Sequence, residues 1–406
     1  LHFLCLVNNG TAALCLCKSK QYLYAMQYGI DIFLQQSSPW KQMKLAMVTN
    51  DAATTITGEK SRTAVLKNNF RVFRLFSPEH GIAVTGADGA YQSNTKDALT
   101  GLPVISLYGD TLAPAAGTLH DIDAVLFDIP DVGCRYYTYL WTMTHVMQAC
   151  ATNNKPFIVL DRPNPTGALL HKAEGPMLDE EHCSSFIGRW NIPLKHCCTL
   201  GELAQYFAAS HIPHLELHVI KVSGYQRHHI AEKNFPFIAT SPAIQNVHTA
   251  MLYPGTGLLE GVNICEARGT FSPFTMCGAP WMDEVKLAAA IQALLLSGVQ
   301  ASPVSYTPSA GIYAGTRCHG VQWRVTDIDS FNAVQTGIAF LQTVHQLYPQ
   351  QLQQRLYKTV ANPSGEGHLD KLLGVHHAFD KLQKGHSFNL DIRERWEAVI
   401  SDYLLY

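Results

Sequence analysis

Five short, mainly apolar runs that do not alternate with polar residues constrain this chain most. They fall at residues 45–49, 72–76, 104–107, 124–127 and 157–160. A strand with one wet face alternates polar and apolar side chains; runs without alternation suit strands covered on both faces. Helical patterns lie between them. Leu140, Met143, Met147 and Cys150 recur at helical spacing over 139–152, and Thr199 to Glu202 reads as a capping box opening a helix through Ala209. Strand–helix alternation predicts a parallel, Rossmann-like α/β sheet. Beyond about residue 245 the pattern changes. A helix is expected over 283–296, with Val285, Ala289, Leu294 and Leu295 among its apolar positions, then a strand over 320–325 and two or more closing helices. The expected fold is an α/β, Rossmann-like parallel-sheet domain over 41–245. A smaller α+β C-terminal domain over 246–406 follows and completes a cleft, and residues 1–40 form an N-terminal extension.

Composition narrows the function. The 406 residues are 47% hydrophobic and 15% charged, enough for a large core, and the net charge of -2 offers no surplus to neutralise phosphates. Nucleic acid is therefore excluded as an expected partner. The 11 cysteines form no CxxC pair, and most sit in apolar runs, which reads as buried free thiols. Residues 1–17 are apolar and end in a Cys-rich stretch, but carry no starting Met or basic segment. That segment raises a periplasmic or secreted location as an expectation, with a cytoplasmic one as the alternative. No other stretch has the ~18 uninterrupted apolar residues of a membrane span.

Ligands of open parallel sheets bind beyond the carboxyl ends of the strands. Distinctive polar residues stand at those points: Asn50 and Asp51, Glu79 and His80, Asp128 and Asp131, then Asp161, Arg162 and Asn164. Glu79 is set between Pro78 and Gly81, which fix its loop. Asp128 also reads as a turn cap, and Asp161 with Arg162 as an ion pair inside a rigid turn. A second cluster is Arg135, Tyr136, Tyr137 and Tyr139, suited to stacking on sugars and gripping a carboxylate, or to packing at a helix start. Glu174 with Gly175-Pro176, and Glu260, Asn263, Glu266 and Arg268, complete the set. Glu266 and Arg268 also read as a pair engaged only with each other.

Phosphate-binding and dinucleotide signatures are missing, as are HExxH and GxSxG, and His228-His229 lacks a carboxylate at metal-ligand spacing. Carboxylate chemistry remains. Glycoside cleavage uses one protonated carboxyl and a second carboxylate. Glu79 at a buried strand tip fits the acid, and Glu174, Asp128 and Glu266 are the partner candidates.

These residues resemble a bacterial family of exo-β-N-acetylmuramidases over nearly the whole chain, from about Lys44 to Tyr406. The motifs are Val48-Thr49-Asn50, Phe76-Ser77-Pro78-Glu79-His80-Gly81, Thr100-Gly101-Leu102-Pro103-Val104, Asp131-Val132-Gly133-Cys134-Arg135-Tyr136-Tyr137-Thr138-Tyr139 and Leu160-Asp161-Arg162-Pro163-Asn164-Pro165. They continue with Glu174-Gly175-Pro176, Tyr253-Pro254-Gly255-Thr256, Glu260-Gly261-Val262-Asn263, Glu266-Ala267-Arg268-Gly269-Thr270 and Gly278-Ala279-Pro280-Trp281. The resemblance implies an active site between a Rossmann-like domain and a smaller one, and release of N-acetylmuramic acid from the non-reducing end of peptidoglycan fragments. It also implies no metal or organic cofactor and Glu79 as the catalytic glutamate. Asn50, His80, Arg135, Tyr136, Tyr139, Arg162, Asn164, Glu260, Asn263, Glu266 and Arg268 become candidate contacts for muropeptides or a MurNAc-GlcNAc unit. Arg135, Arg162 and Arg268 are the candidate cations for the lactyl carboxylate. The chain departs from the family pattern at Pro130, Ala243, Tyr225 and residues 82–85, changes expected near the cleft. They motivate an alternative, a catalytically weakened muropeptide-binding homologue. A third reading is a hydrolase or transferase acting on another sugar or a nucleotide.

Overall fold

The computed structural model describes residues 26–35 and 39–406, so the expectation on residues 1–17 lies outside the described residues. Strands β1 (Lys44–Thr49), β2 (Arg71–Ser77), β3 (Thr95–Lys96), β4 (Pro103–Ser106), β5 (Ala124–Asp128) and β6 (Phe157–Leu160) come first. A small pair follows, β7 (Glu174–Met177) and β8 (Pro193–Lys195), then β9 (Leu217–Ile220). The main sheet has the order β3-β4-β2-β1-β5-β6-β9. Its pairs are parallel except β3 with β4. All five apolar runs are strands of this sheet. β5 is buried along its whole length and β1 from its second residue onward, so these strands read as unbroken apolar runs. Each large apolar side chain so enclosed stabilises the fold by about 1.5–3 kcal/mol.

The chain leaves β1 towards β2 and β4, then returns on the other side of β1 to β5, β6 and β9. That reversal opens a crevice at the carboxyl ends of β1, β2 and β5, the place where such sheets bind ligands. Helix Thr138–Thr152 follows β5, and helix Leu200–Ser210 precedes β9. The second opens with the expected capping box, formed by Thr199 and Glu202.

A separate antiparallel sheet follows, with β10 (Met276–Ala279), β11 (Val299–Tyr306) and β12 (Cys318–Val325) in the order β10-β12-β11. The helix expected over 283–296 spans only Glu284–Gln292, capped by the Asp283 carboxylate. Its inward face is Leu287, Ala288 and Ile291, while Val285 and Leu295 are 66% and 86% exposed. Apolar residues such as Val285 also stand on its outward side, so the pattern hid the face; Leu295, at a φ of 49°, leaves the helical path. Gly255 serves a helix crossing: a Cβ there would lie 2.0 Å from the Ala333 carbonyl oxygen of helix Ala333–Leu347. The eight cysteines among the described residues are buried free thiols. Among the described residues no helix is long and apolar enough to cross a membrane.

Candidate active site

β2 ends at Ser77, and Pro78 passes the chain directly to Glu79. His80 and Gly81 then adopt left-handed φ values of 67° and 71°, folding the loop back on the sheet. A non-glycine residue held there is backbone strain at a candidate site. His80 Nδ1 lies 2.8 Å from the Gly86 carbonyl oxygen. The carbonyl can only accept, so Nδ1 carries a proton. Glu79 is buried. Its Oε1 accepts from the Gly89 N–H at 2.7 Å and its Oε2 from the Thr138 hydroxyl at 2.7 Å. Thr138 begins the helix after β5, so the end of β2 and a helix start together fix the carboxyl group. Burial is the main force raising the Glu79 pKa, and the Asp88 charge adds to it. His80 and the two hydrogen bonds oppose the rise without cancelling it.

Asp88 is the counterpart. Burial alone would raise its pKa, but Arg268, His80, the Tyr357 hydroxyl and His368 outweigh burial and hold it below the ordinary range. Tyr357 donates to Asp88 Oδ2, and the Arg268 guanidinium lies 3.4 Å from Oδ1. One oxygen of Glu79, one of Asp88 and a ring nitrogen of His80 all lie within 4.8 Å of one another. Two carboxyl groups pushed apart in acidity form an acid and a base side by side. The same three groups could in principle hold a divalent cation. Each carboxylate already accepts protein donors, however, and Arg268 supplies positive charge to Asp88, which suits proton chemistry better.

Arg268 is itself enclosed by carboxylates. Its Nε donates to Glu266 at 2.7 Å, a terminal nitrogen donates to Glu260, and its guanidinium lies 5.0 Å from the Phe274 ring centre. Around Glu79 opens a cleft lined by residues of both halves of the chain. Tyr108, Tyr136, Tyr137, Tyr253 and Phe274 give it apolar ring faces. Such a wall, carrying a few convergent polar groups, suits a sugar ring.

The structure brings Glu79, His80, Tyr136, Glu260 and Arg268 into this cleft and leaves other sequence candidates outside its lining. Asp128 forms a buried two-pronged ion pair with Arg162, at 2.6 and 3.0 Å. Both hold the carboxyl ends of β5 and β6 together. The expected Asp161–Arg162 pair does not form. Asp161 instead accepts from the Thr199 hydroxyl, the Gly201 N–H and the Tyr406 hydroxyl. Glu174 accepts from the N–H groups of Ala333 and Val334, at 3.0 and 2.8 Å, and pairs with Lys195. It caps a helix rather than facing Glu79. Arg135 is completely buried, donating to the carbonyls of Pro176, Ile192 and Leu372.

Asn50 accepts from the Ala52 N–H, and Asn164 donates to the Cys198 carbonyl and accepts from Thr166. The Tyr139 hydroxyl donates to the Thr240 carbonyl, and Asn263 ties residues 351 and 353. Glu266 sits behind Arg268. Of the departures from the family pattern, Ala243 lines the cleft, whereas Pro130, Tyr225 and residues 82–85 do not. Asp88, Tyr357 and His368 were missed by sequence reading. Asp88 stands in a loop with no strand end to mark it, and the other two come from the far end of the chain.

Fold and cleft together define a mixed α/β protein in which paired carboxyl groups face a ring-lined pocket at a sheet switch point. Residues 45–248 match the N-terminal model, and 251–405 the C-terminal model, of the family described as exo-beta-N-acetylmuramidase NamZ. The chain belongs to that family, and is by that membership a glycoside hydrolase. It is 39% identical over 366 residues to the peptidoglycan beta-N-acetylmuramidase NamZ of Bacillus subtilis strain 168, covering 89% of this chain and 85% of the relative. Two crystal structures of DUF1343 family proteins from Bacteroides fragilis NCTC 9343 share the fold. One, at 29% identity, has a TM-score of 0.83, and the other, at 25%, a TM-score of 0.69. Each match covers 94% of this chain and 99% of the solved one.

Proposed function

We propose that this chain is an exo-acting glycoside hydrolase that releases N-acetylmuramic acid from the non-reducing end of peptidoglycan fragments by carboxyl acid/base chemistry. The observation that carries the chemistry is the placing of the Glu79 and Asp88 carboxyl groups within 4.8 Å of one another in one cleft, where burial favours the protonated form of Glu79 and Arg268 the ionised form of Asp88. Family membership and the Bacillus subtilis relative support the substrate class. In this reading Glu79 stays protonated and gives its proton to the glycosidic oxygen as the bond to the anomeric carbon breaks. Asp88, ionised by Arg268 and Tyr357, faces the positive charge that develops on the sugar, and a water molecule then bonds to the anomeric carbon, giving a proton to the Glu79 carboxylate and so restoring the acid. Thr138 and Gly89 hold the acid in place, so that little reorganisation is needed during reaction. The proposed place of action is the periplasm or the cell exterior, where wall fragments are produced.

The test compares a chromogenic β-N-acetylmuramide with the corresponding N-acetylglucosaminide. Release from the muramide alone is expected. Equal release from both would contradict the assigned specificity. Binding of muropeptide with no release from either would favour a non-catalytic, muropeptide-binding protein.

A further inference from the structure

Resting on the muramidase reading, we propose that Lys371 forms a carboxylate subsite of this cleft, taking the lactyl group that distinguishes N-acetylmuramic acid from N-acetylglucosamine. The three arginines that sequence alone offers for this task are committed elsewhere. Arg135 is spent on three backbone carbonyls, Arg162 on Asp128, and Arg268 on Glu260, Glu266 and Asp88. Lys371 differs. It lines the same cleft as Glu79, on the short helix His368–Leu373. Its ammonium group donates to the Asn362 amide oxygen and the Glu366 carbonyl, both at 3.0 Å. Both acceptors are neutral. Among the described residues no carboxylate lies within ion-pair distance of it.

An ammonium has three donors, so two neutral contacts leave one N–H for a ligand. Partial burial pushes the Lys371 pKa down, and the charges of Glu366 and Asp370, too far away to form ion pairs, oppose this without cancelling it. An incoming carboxylate would complete it with a charge-assisted bond. The position is tied to the catalytic carboxyl group. Asn362 follows Val360, whose N–H donates to the Gly89 carbonyl at 3.0 Å, and the Gly89 N–H binds Glu79. His368, at the start of the same helix, stacks on Tyr357 with ring centres 4.5 Å apart, and Tyr357 binds Asp88. Lys371 and the acid/base pair thus line one cleft and are joined through neighbouring residues.

The experiment measures kcat and KM for the β-N-acetylmuramide, its lactyl methyl ester and the N-acetylglucosaminide, on the unaltered protein and on Lys371→Met. A hydrogen bond to a charged group corresponds to about a 10- to 100-fold effect. Lys371→Met should lose that factor in kcat/KM on the free acid, mostly through KM, and should not lose it on the ester. The unaltered protein should lose a similar factor when the acid is replaced by its ester, a comparison independent of whether the variant folds. Equal loss on acid and ester in Lys371→Met, or no loss on esterification in the unaltered protein, would overturn the subsite. If the unaltered protein cleaves no muramide, the muramidase reading itself falls. If it does and Lys371→Met matches it on the acid, only the subsite falls.

Discussion

Glu79 is raised chiefly by burial, with Asp88 adding to the rise and His80 opposing it. These opposite signs can be separated. The acid works only while protonated, so activity should fall as pH rises through the Glu79 pKa. Asp88→Asn removes a like charge; the basic limb of the pH–rate profile should move to lower pH, with kcat reduced. His80→Gln removes a charge that favours the ionised form, and its basic limb should move to higher pH. Shifts in one common direction would break the assignment. At this scale the sequence reveals Glu79 because a strand tip held between Pro78 and Gly81 leaves few structural uses for a carboxylate. It conceals Asp88, because a loop residue acquires its role only through partners distant in the chain, here Arg268 and Tyr357.

At the scale of elements, several polar residues at strand ends hold the scaffold. Glu174 accepts from the first two N–H groups of helix Ala333–Leu347 while pairing with the half-hidden Lys195. Glu174→Ala should cost about 3 kcal/mol of stability, because it uncaps the helix and strands a buried cation. Urea unfolding would measure this, with kcat little changed in protein that remains folded. A collapse of kcat at unaltered stability would return Glu174 to the reaction. Asp161 is pushed up to about 6, chiefly by burial, although Thr199, Gly201 and Tyr406 all donate to it. Its unfolded value is about 3.9. The folded state thus holds the proton more tightly, and stability from this group is full below pH ~4 and declines as pH rises towards 6. Asp161→Ala should flatten that part of the stability–pH curve. Strands and the capped helix were legible because burial on both faces and capping chemistry are local. The face of helix Glu284–Gln292 was not, since apolar residues such as Val285 also stand on its outward side.

Across the whole molecule, Arg268 links the two halves at the cleft. Arg268 draws Glu260, Glu266 and, from the loop after β2, Asp88 to one point. Arg268→Met leaves these carboxylates facing one another. Near neutral pH it should lose about 3–5 kcal/mol, as expected when one partner of a buried ionic group is removed. The deficit should shrink as pH falls, because crowded carboxylates bind protons more readily folded than unfolded. Unfolding across a pH series checks the sign. The two-part organisation was visible in the change of periodicity near residue 245, whereas this link was not, since ion pairs between distant segments leave no local pattern.

The central claim is that Glu79 donates a proton to the leaving sugar. A nitrophenol leaves readily without a proton, whereas a sugar alkoxide does not. The most direct measurement is therefore kcat for Glu79→Gln on a MurNAc-GlcNAc disaccharide and on a chromogenic muramide, in protein shown to unfold like the parent. General-acid catalysis contributes roughly 100- to 10,000-fold. A loss of that size on the disaccharide, with a clearly smaller loss on the chromogenic substrate, is predicted. Retention of most activity on the disaccharide would contradict the account.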